Sequence, residues 1–164
     1  MGIKLTRQFE KKNIQDLVNK IYRYIRQDPQ LTTRSRRIIR KWFLAQEIFC
    51  AFENGKLLGF IAVEYICDNY FELKSWYVVA DRRGKDIGEK IFKTAISDRS
   101  KTFIGVTFQR DIISRLHEFG FEQLSIHKLP LIVAYRYIMS RKLTSVLKHF
   151  FKKRSTLLIL RKHE

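Results

Sequence analysis

The stretch from Glu72 to Phe92 constrains this chain more than any other, because it reads as strand, turn and helix without interruption. Residues 71 to 79 are rich in aromatic and β-branched types, as a strand requires. Ile87, Ile91, Phe92, Ala95 and Ile96 then recur at helical spacing. Between the two lies Arg82-Arg83-Gly84-Lys85. A glycine-bearing loop that opens a helix lets backbone N–H groups approach a ligand closely, and the positive end of the helix dipole favours an anion there. A phosphate-bearing ligand is the first expectation for this loop.

The rest of the chain supplies the frame around that unit. A length of 164 residues with 45% hydrophobic content fits one domain with a real core. Residues 3 to 9 make a short strand, and Asn13 is placed to cap a helix whose apolar stripe is Ile14, Leu17, Val18, Ile21, Tyr22 and Ile25. Asp28-Pro29 ends it. A second helix is expected from about residue 33 to 46, with Ile38, Ile39, Trp42 and Phe43 inward and Arg34, Arg36, Arg37, Arg40 and Lys41 mostly outward. That basic cluster reads either as a solvated helix face or as an anion-binding surface. Asn54-Gly55 is a two-residue turn signal inside a hairpin spanning residues 47 to 66. A crossover helix after the 71–79 strand leads to another strand, residues 103 to 108, which gives a mixed sheet.

Charge is unevenly distributed. The net charge is +17, yet residues 47 to 127 carry 11 Lys and Arg against 12 Asp and Glu. The excess lies in the flanks, with 12 against 3 in residues 1 to 46 and 10 against 1 in residues 128 to 164. An anionic partner would therefore meet those flanks. Two cysteines without metal or redox spacing, Cys50 and Cys67, fit reduced thiols in a cytoplasmic setting. The opening residues lack the apolar run of a signal peptide, and no apolar run approaches the roughly 20 residues needed to span a bilayer. The four histidines, at 117, 127, 149 and 163, are dispersed, so no metal is expected.

The loop Arg83-Gly84-Lys85-Asp86-Ile87-Gly88, following the strand Glu72-Leu-Lys-Ser-Trp-Tyr-Val78, resembles the signature of the GNAT superfamily of acyl-CoA-dependent N-acyltransferases. That signature is Arg or Gln, two residues, Gly, one residue, then Gly or Ala. The resemblance extends to the element order and to Gln109 through Phe121, where a short helix ends at Gly120. It implies a single domain over residues 1–164 of α/β (α+β) class, a mixed, mostly antiparallel central sheet flanked by helices. It further implies an acetyl-CoA or other acyl-CoA donor, with pyrophosphate held by Arg83, Gly84, Lys85, Asp86, Ile87 and Gly88. The pantetheine would be held by the backbone of Val78 and Val79, with an amide offered by Gln109. Asp86 stands where the pattern carries its first glycine, and its carboxylate would lie near the pyrophosphate unless it turns to cap the helix. Leu116 stands where many relatives carry a tyrosine acid.

Acyl transfer from a thioester needs an unprotonated amine. An alkylammonium of pKa about 10.4 is only about one part in a few thousand neutral at pH 7, equivalent to about 4.6 kcal/mol, so a proton acceptor helps. By the resemblance Glu72 is that base, while the bland alternative is an exposed strand carboxylate. Glu64 is a weaker alternative. A backbone N–H near Val78 would polarise the carbonyl. A thiol of pKa about 8.5 departs as thiolate with little help, and Tyr77, Ser114 and His117 are weak candidates to deliver a proton.

The C-terminal part departs from the family's simple closing hairpin. After Lys128-Leu129-Pro130 a helical insertion is expected over about residues 130–153, before a last strand from Thr156 to Leu160. Its apolar and basic residues would suit core cover, an acceptor site or peripheral attachment to an anionic membrane. The chain thus reads as an acetyl-CoA-dependent N-acetyltransferase with an unidentified amine acceptor that is itself anionic or carried by something anionic. The competing reading is a catalytically silent module of the same fold, binding nucleic acid, a ribosome or a membrane surface through its basic flanks.

Overall fold

The computed structural model describes residues 2–84, 86–107, 109–124 and 128–139, together with the backbone of 156–160. The chain divides into two compact units, Met1–Glu64 with Lys74–Ser97, and Tyr65–Leu73 with Asp98–Glu164. Strand β4 (Tyr70–Val78) contributes to both.

In the first unit the strands run in the order β1-β2-β3-β4, where β1 is Lys4–Thr6, β2 Ile48–Glu53 and β3 Lys56–Cys67. β1 and β2 are antiparallel, as are β2 and β3, and the latter pair turns at Asn54 (φ 50°) and Gly55 (φ 74°). Two successive left-handed residues are what a type I′ hairpin demands, so the Asn-Gly signal is met. Helix α1 (Lys11–Gln27) buries Ile14, Leu17, Val18, Ile21 and Ile25. Helix α2 (Arg36–Leu44) buries Ile39, Trp42 and Phe43, and both helices pack with Ile48, Cys50 and Phe60 in one core. Helix α3 (Ile87–Ala95) buries Ile87, Ile91, Phe92 and Ala95.

Several local expectations are corrected. Asn13 lies inside the first turn of α1, donating its backbone N–H to Glu10 O, and Glu10 is the N-cap residue. The second helix starts later than residue 33, because the Ser35 hydroxyl accepts from Ile38 N and fixes the boundary. Ile38 is 38% exposed, so the apolar stripe of α2 is narrower than its composition indicates.

In the second unit Tyr70–Leu73 of β4 pair in parallel with Thr102–Gly105 of β5 (Thr102–Thr107). Its strand order is β4-β5-β7-β6, with antiparallel partners for β7 (Thr156–Leu160) and β6 (Glu122–Gln123). The fold is therefore mixed and mostly antiparallel, with helices around the strands. Helix α4 (Arg110–Glu118) ends in a paired C-terminal cap: Phe121 N donates to Leu116 O and Gly120 N to His117 O, with Gly120 at φ 83°. Helix α5 (Leu131–Met139) follows Pro130, whose carbonyl accepts from Ala134 N. Val133 and Tyr137 of α5 are buried with Cys67, Ile104 and Leu129, so this part of the insertion covers core. Leu131, Ile132, Tyr135 and Met139 are exposed, Leu131 at 88%. The remainder of the expected insertion, residues 140–153, lies outside the described residues, as do His127, His149 and His163.

Both cysteines are free and buried. Burial pushes both thiols above their ordinary range, in Cys67 with help from the neighbouring Asp68 charge. Among the described residues no helix is long and apolar enough to cross a membrane.

Candidate active site

The strand-to-helix connection is built from three local devices. Strand β4 ends by pairing Val79 N with Leu58 O, and a short 3₁₀ turn, Ala80–Arg82, follows. Arg82 closes that turn by donating its N–H to Val79 O, and its guanidinium pairs with Glu53 at the hairpin end of β2. Gly84 then takes φ 80° and Asp86 φ 55°, two left-handed residues that aim the chain into α3. Gly88 lies close against β4. A Cβ added there would sit 3.2 Å from Val78 Cγ2 and 3.4 Å from the Trp76 ring, so a side chain would fit only if those neighbours gave way by a few tenths of an ångström.

The amino end of α3 is chemically open. Its first internal bond runs from Lys90 N to Asp86 O, so the amides of Ile87 and Gly88 have no partner within the helix. Asp86 does not cap them through its carboxylate, contrary to the alternative raised by its position; it serves through its left-handed backbone. This explains why a glycine suits that place: αL strains most L-residues and Asp and Asn least. Ile87 is buried and packs into the core, leaving its backbone for any ligand. Lys85 lies outside the described residues.

The Arg83 side chain is half exposed, but its guanidinium is engaged. Its Nε donates to Val78 O at 3.1 Å and its terminal nitrogen to Asp28 Oδ2 at 2.8 Å. Its guanidinium stands 5.5 Å from the Tyr77 ring centroid, and Tyr77 stacks on Tyr24 of α1 at 5.2 Å. Burial raises the Tyr77 phenol above its ordinary value, against an opposing pull from Arg83, so it is protonated at neutral pH. Asp28 was visible in sequence only as a helix stop. Nothing local to residue 83 announces a partner 55 positions away.

Glu64, the alternative base, is engaged by Lys41 at 3.1 Å and Lys74 at 2.5 Å. Burial alone would raise its pKa, but the hydrogen bonds and charges of the two lysines outweigh it and lower the net value. A carboxylate so held is a poor proton acceptor.

In the second unit Glu72 sits opposite Ile104 in the β4–β5 ladder and is 3% exposed, which removes the reading of a solvated strand carboxylate. Gln109 is the N-cap residue of α4, its backbone N donating to Thr107 Oγ1 at 3.1 Å. Leu116 is a buried packing residue beside Gly105. Ser114 donates to Arg110 O, and His117 Nδ1 lies 2.8 Å from Phe121 O, so both are engaged within or just after α4. The residues from Val78 to Gly88 are thus gathered within the first unit, while Glu72 and Gln109 belong to the second. Among the described residues no group of three or more His, Cys, Asp or Glu is arranged to hold a metal ion.

Comparison with known proteins converges on one family. A search of curated proteins by sequence finds no match. Among solved structures, N-acetylglutamate synthase from Neisseria gonorrhoeae, complexed with coenzyme A and N-acetyl-glutamate, is similar with a TM-score of 0.71 at 16% identity. All of this chain is covered in that comparison, but only 36% of the synthase, so the chain spans about a third of that protein's length. Rv2747 from Mycobacterium tuberculosis, in complex with coenzyme A, gives 0.72 at 15% identity over 96% of this chain and 98% of its own. Naa50 from Arabidopsis thaliana, in complex with the bisubstrate analogue CoA-Ac-MVNAL, gives 0.65 at 16% identity over 98% and 99%. At such identities the likeness is one of fold. The model of the acetyltransferase (GNAT) family matches residues 12–121, which hold all but the first residue of α1, helices α2 to α4 and the whole β4–loop–α3 unit. The chain belongs to the acetyltransferase (GNAT) family.

Proposed function

We propose that this acetyltransferase, acting as one domain over residues 1–164, takes an acetyl group from acetyl-CoA and delivers it to an amine that is anionic or carried on something anionic. The observation that carries the reading is the open amino end of α3 behind two left-handed loop residues. Backbone donors that converge on the positive end of a helix suit a pyrophosphate. In this reading the loop from Arg83 to Gly88, with Lys85, holds the pyrophosphate, the backbone at Val78 and Val79 lies along the pantetheine, and Gln109 offers its amide. Coenzyme A in the similar solved structures supports the donor. Glu72 takes the proton from the acceptor ammonium, directly or through water, and the leaving thiolate takes up a proton from solvent or from a nearby hydroxyl. The acceptor's character follows from charge. The described cations Arg36, Arg37, Arg40 and Lys41 crowd one short helix that carries no acidic residue, and the 128–164 flank repeats the excess.

The test is an acceptor screen with acetyl-CoA, comparing wild type with Glu72→Gln. Loss of a general base lowers kcat by about 10²- to 10⁴-fold. The affinity for acetyl-CoA, measured by calorimetry, should hold. A glutamine variant as fast as wild type would remove Glu72 from the mechanism. Salt-sensitive RNA or vesicle binding with no transfer to any amine would support the silent module instead.

A further inference from the structure

We propose that Asp28 is a positioning residue for acetyl-CoA: it ties the chain leaving α1 to the coenzyme loop through Arg83, so that the Arg83 guanidinium braces the loop and leaves the pyrophosphate to the loop's backbone amides and Lys85. The inference rests on the donor reading given above. Asp28 is engaged at every polar atom. As the C-cap of α1 it donates its N–H to Tyr24 O at 3.1 Å, and its carbonyl accepts from Leu31 N at 3.1 Å. Its Oδ1 accepts from Gln30 N at 2.9 Å, which shapes the turn after the helix, and its Oδ2 accepts from Arg83 at 2.8 Å. The carboxylate is mostly shielded, 12% exposed, whereas the Arg83 side chain is 53% exposed.

Arg83 is held from three directions. Asp28 takes one end of the guanidinium, Val78 O takes Nε, and the Tyr77 ring lies beside its plane, stacked in turn on Tyr24. Because the bond to Val78 O reaches back five residues, it closes the chain over the 3₁₀ turn and sets where Gly84 begins. A planar fork that serves a carbonyl and a carboxylate at once cannot be reproduced by an ammonium. The same carboxylate fixes the turn at Gln30, so the segment between α1 and α2 and the coenzyme loop share one anchor.

The experiment is a double-mutant cycle on the full chain, using Asp28→Asn, Arg83→Met and the pair, with Asp28→Glu as the conservative variant. Calorimetric Kd for acetyl-CoA and steady-state KM and kcat are read together, after circular dichroism has shown each variant folded. Losing the brace should weaken acetyl-CoA by about fivefold to tenfold in Kd and KM, in line with one partly exposed hydrogen bond, with kcat changed less than about twofold. The pair should be no worse than Arg83→Met alone, and Asp28→Glu should recover part of the loss. Additive losses, or a loss in Arg83→Met with none in Asp28→Asn, would overturn the inference, since Arg83 would then grip the pyrophosphate itself. A wild type that binds no acetyl-CoA would overturn the donor reading and this inference with it.

Discussion

At the scale of single residues, Asp86 shows how a backbone requirement and a charge requirement can oppose each other. The loop needs a left-handed residue to enter α3, and aspartate tolerates that conformation better than most side chains. Its exposed carboxylate nevertheless adds negative charge where a pyrophosphate is proposed to lie. Asp86→Gly keeps the conformation and removes the charge, so acetyl-CoA should bind roughly threefold to tenfold more tightly at low salt, with the gain shrinking as salt screens it. Calorimetry at two ionic strengths decides this, and equal affinities at low salt would mean that the carboxylate points away from the ligand. Single residues were also where the sequence was least legible. Burial of Glu72, the pairing of Glu64 with two lysines and the partner of Arg83 all depend on segments far off in the chain, which no local pattern encodes.

At the scale of elements legibility was high, because the signals there are short-range. Asn54-Gly55 specified its hairpin, Gly120 its helix end, and the apolar spacing of α1 and α3 their buried faces. Helix starts were read less well. Lys11 and Lys12 occupy the first turn of α1, where an acidic residue would mark the boundary, and α2 likewise opens on Arg36 and Arg37. One close approach between elements was invisible in the sequence. A Cβ at Gly59 would stand 2.6 Å from Tyr77 O, 3.0 Å from Ile91 Cδ1 and 3.3 Å from Val78 Cα. Gly59→Ala must therefore push β3 away from the end of β4, and overpacking of this kind costs about 1–3 kcal/mol. Urea unfolding measures it directly. A loss below about 0.5 kcal/mol would show that β4 gives way freely, a change that should then appear as weaker acetyl-CoA binding.

At the scale of the whole molecule the dominant quantity is charge, which composition alone reveals. The +17 excess is confined to residues 1–46 and 128–164. If those flanks recruit an anionic acceptor, KM for the acceptor should rise steeply between about 50 and 300 mM salt, while KM for acetyl-CoA, bound at the near-neutral centre, should rise less. Indifference of both to salt, with cationic amines preferred, would defeat the anionic-acceptor proposal. The covering role of α5 was anticipated as one of three options, and Val133 and Tyr137 support it for residues 131–139.

The buried thiols have a practical side. Cys50 is wholly enclosed and Cys67 nearly so, and the sequence holds no other cysteine. The thiolate is the reactive form, and burial suppresses it at both positions. A cysteine introduced at an exposed helical place such as Lys20 would then be the one thiol open to a maleimide dye in the folded protein. Fluorescent reporters can therefore be attached without first removing the native sulfur atoms from the core.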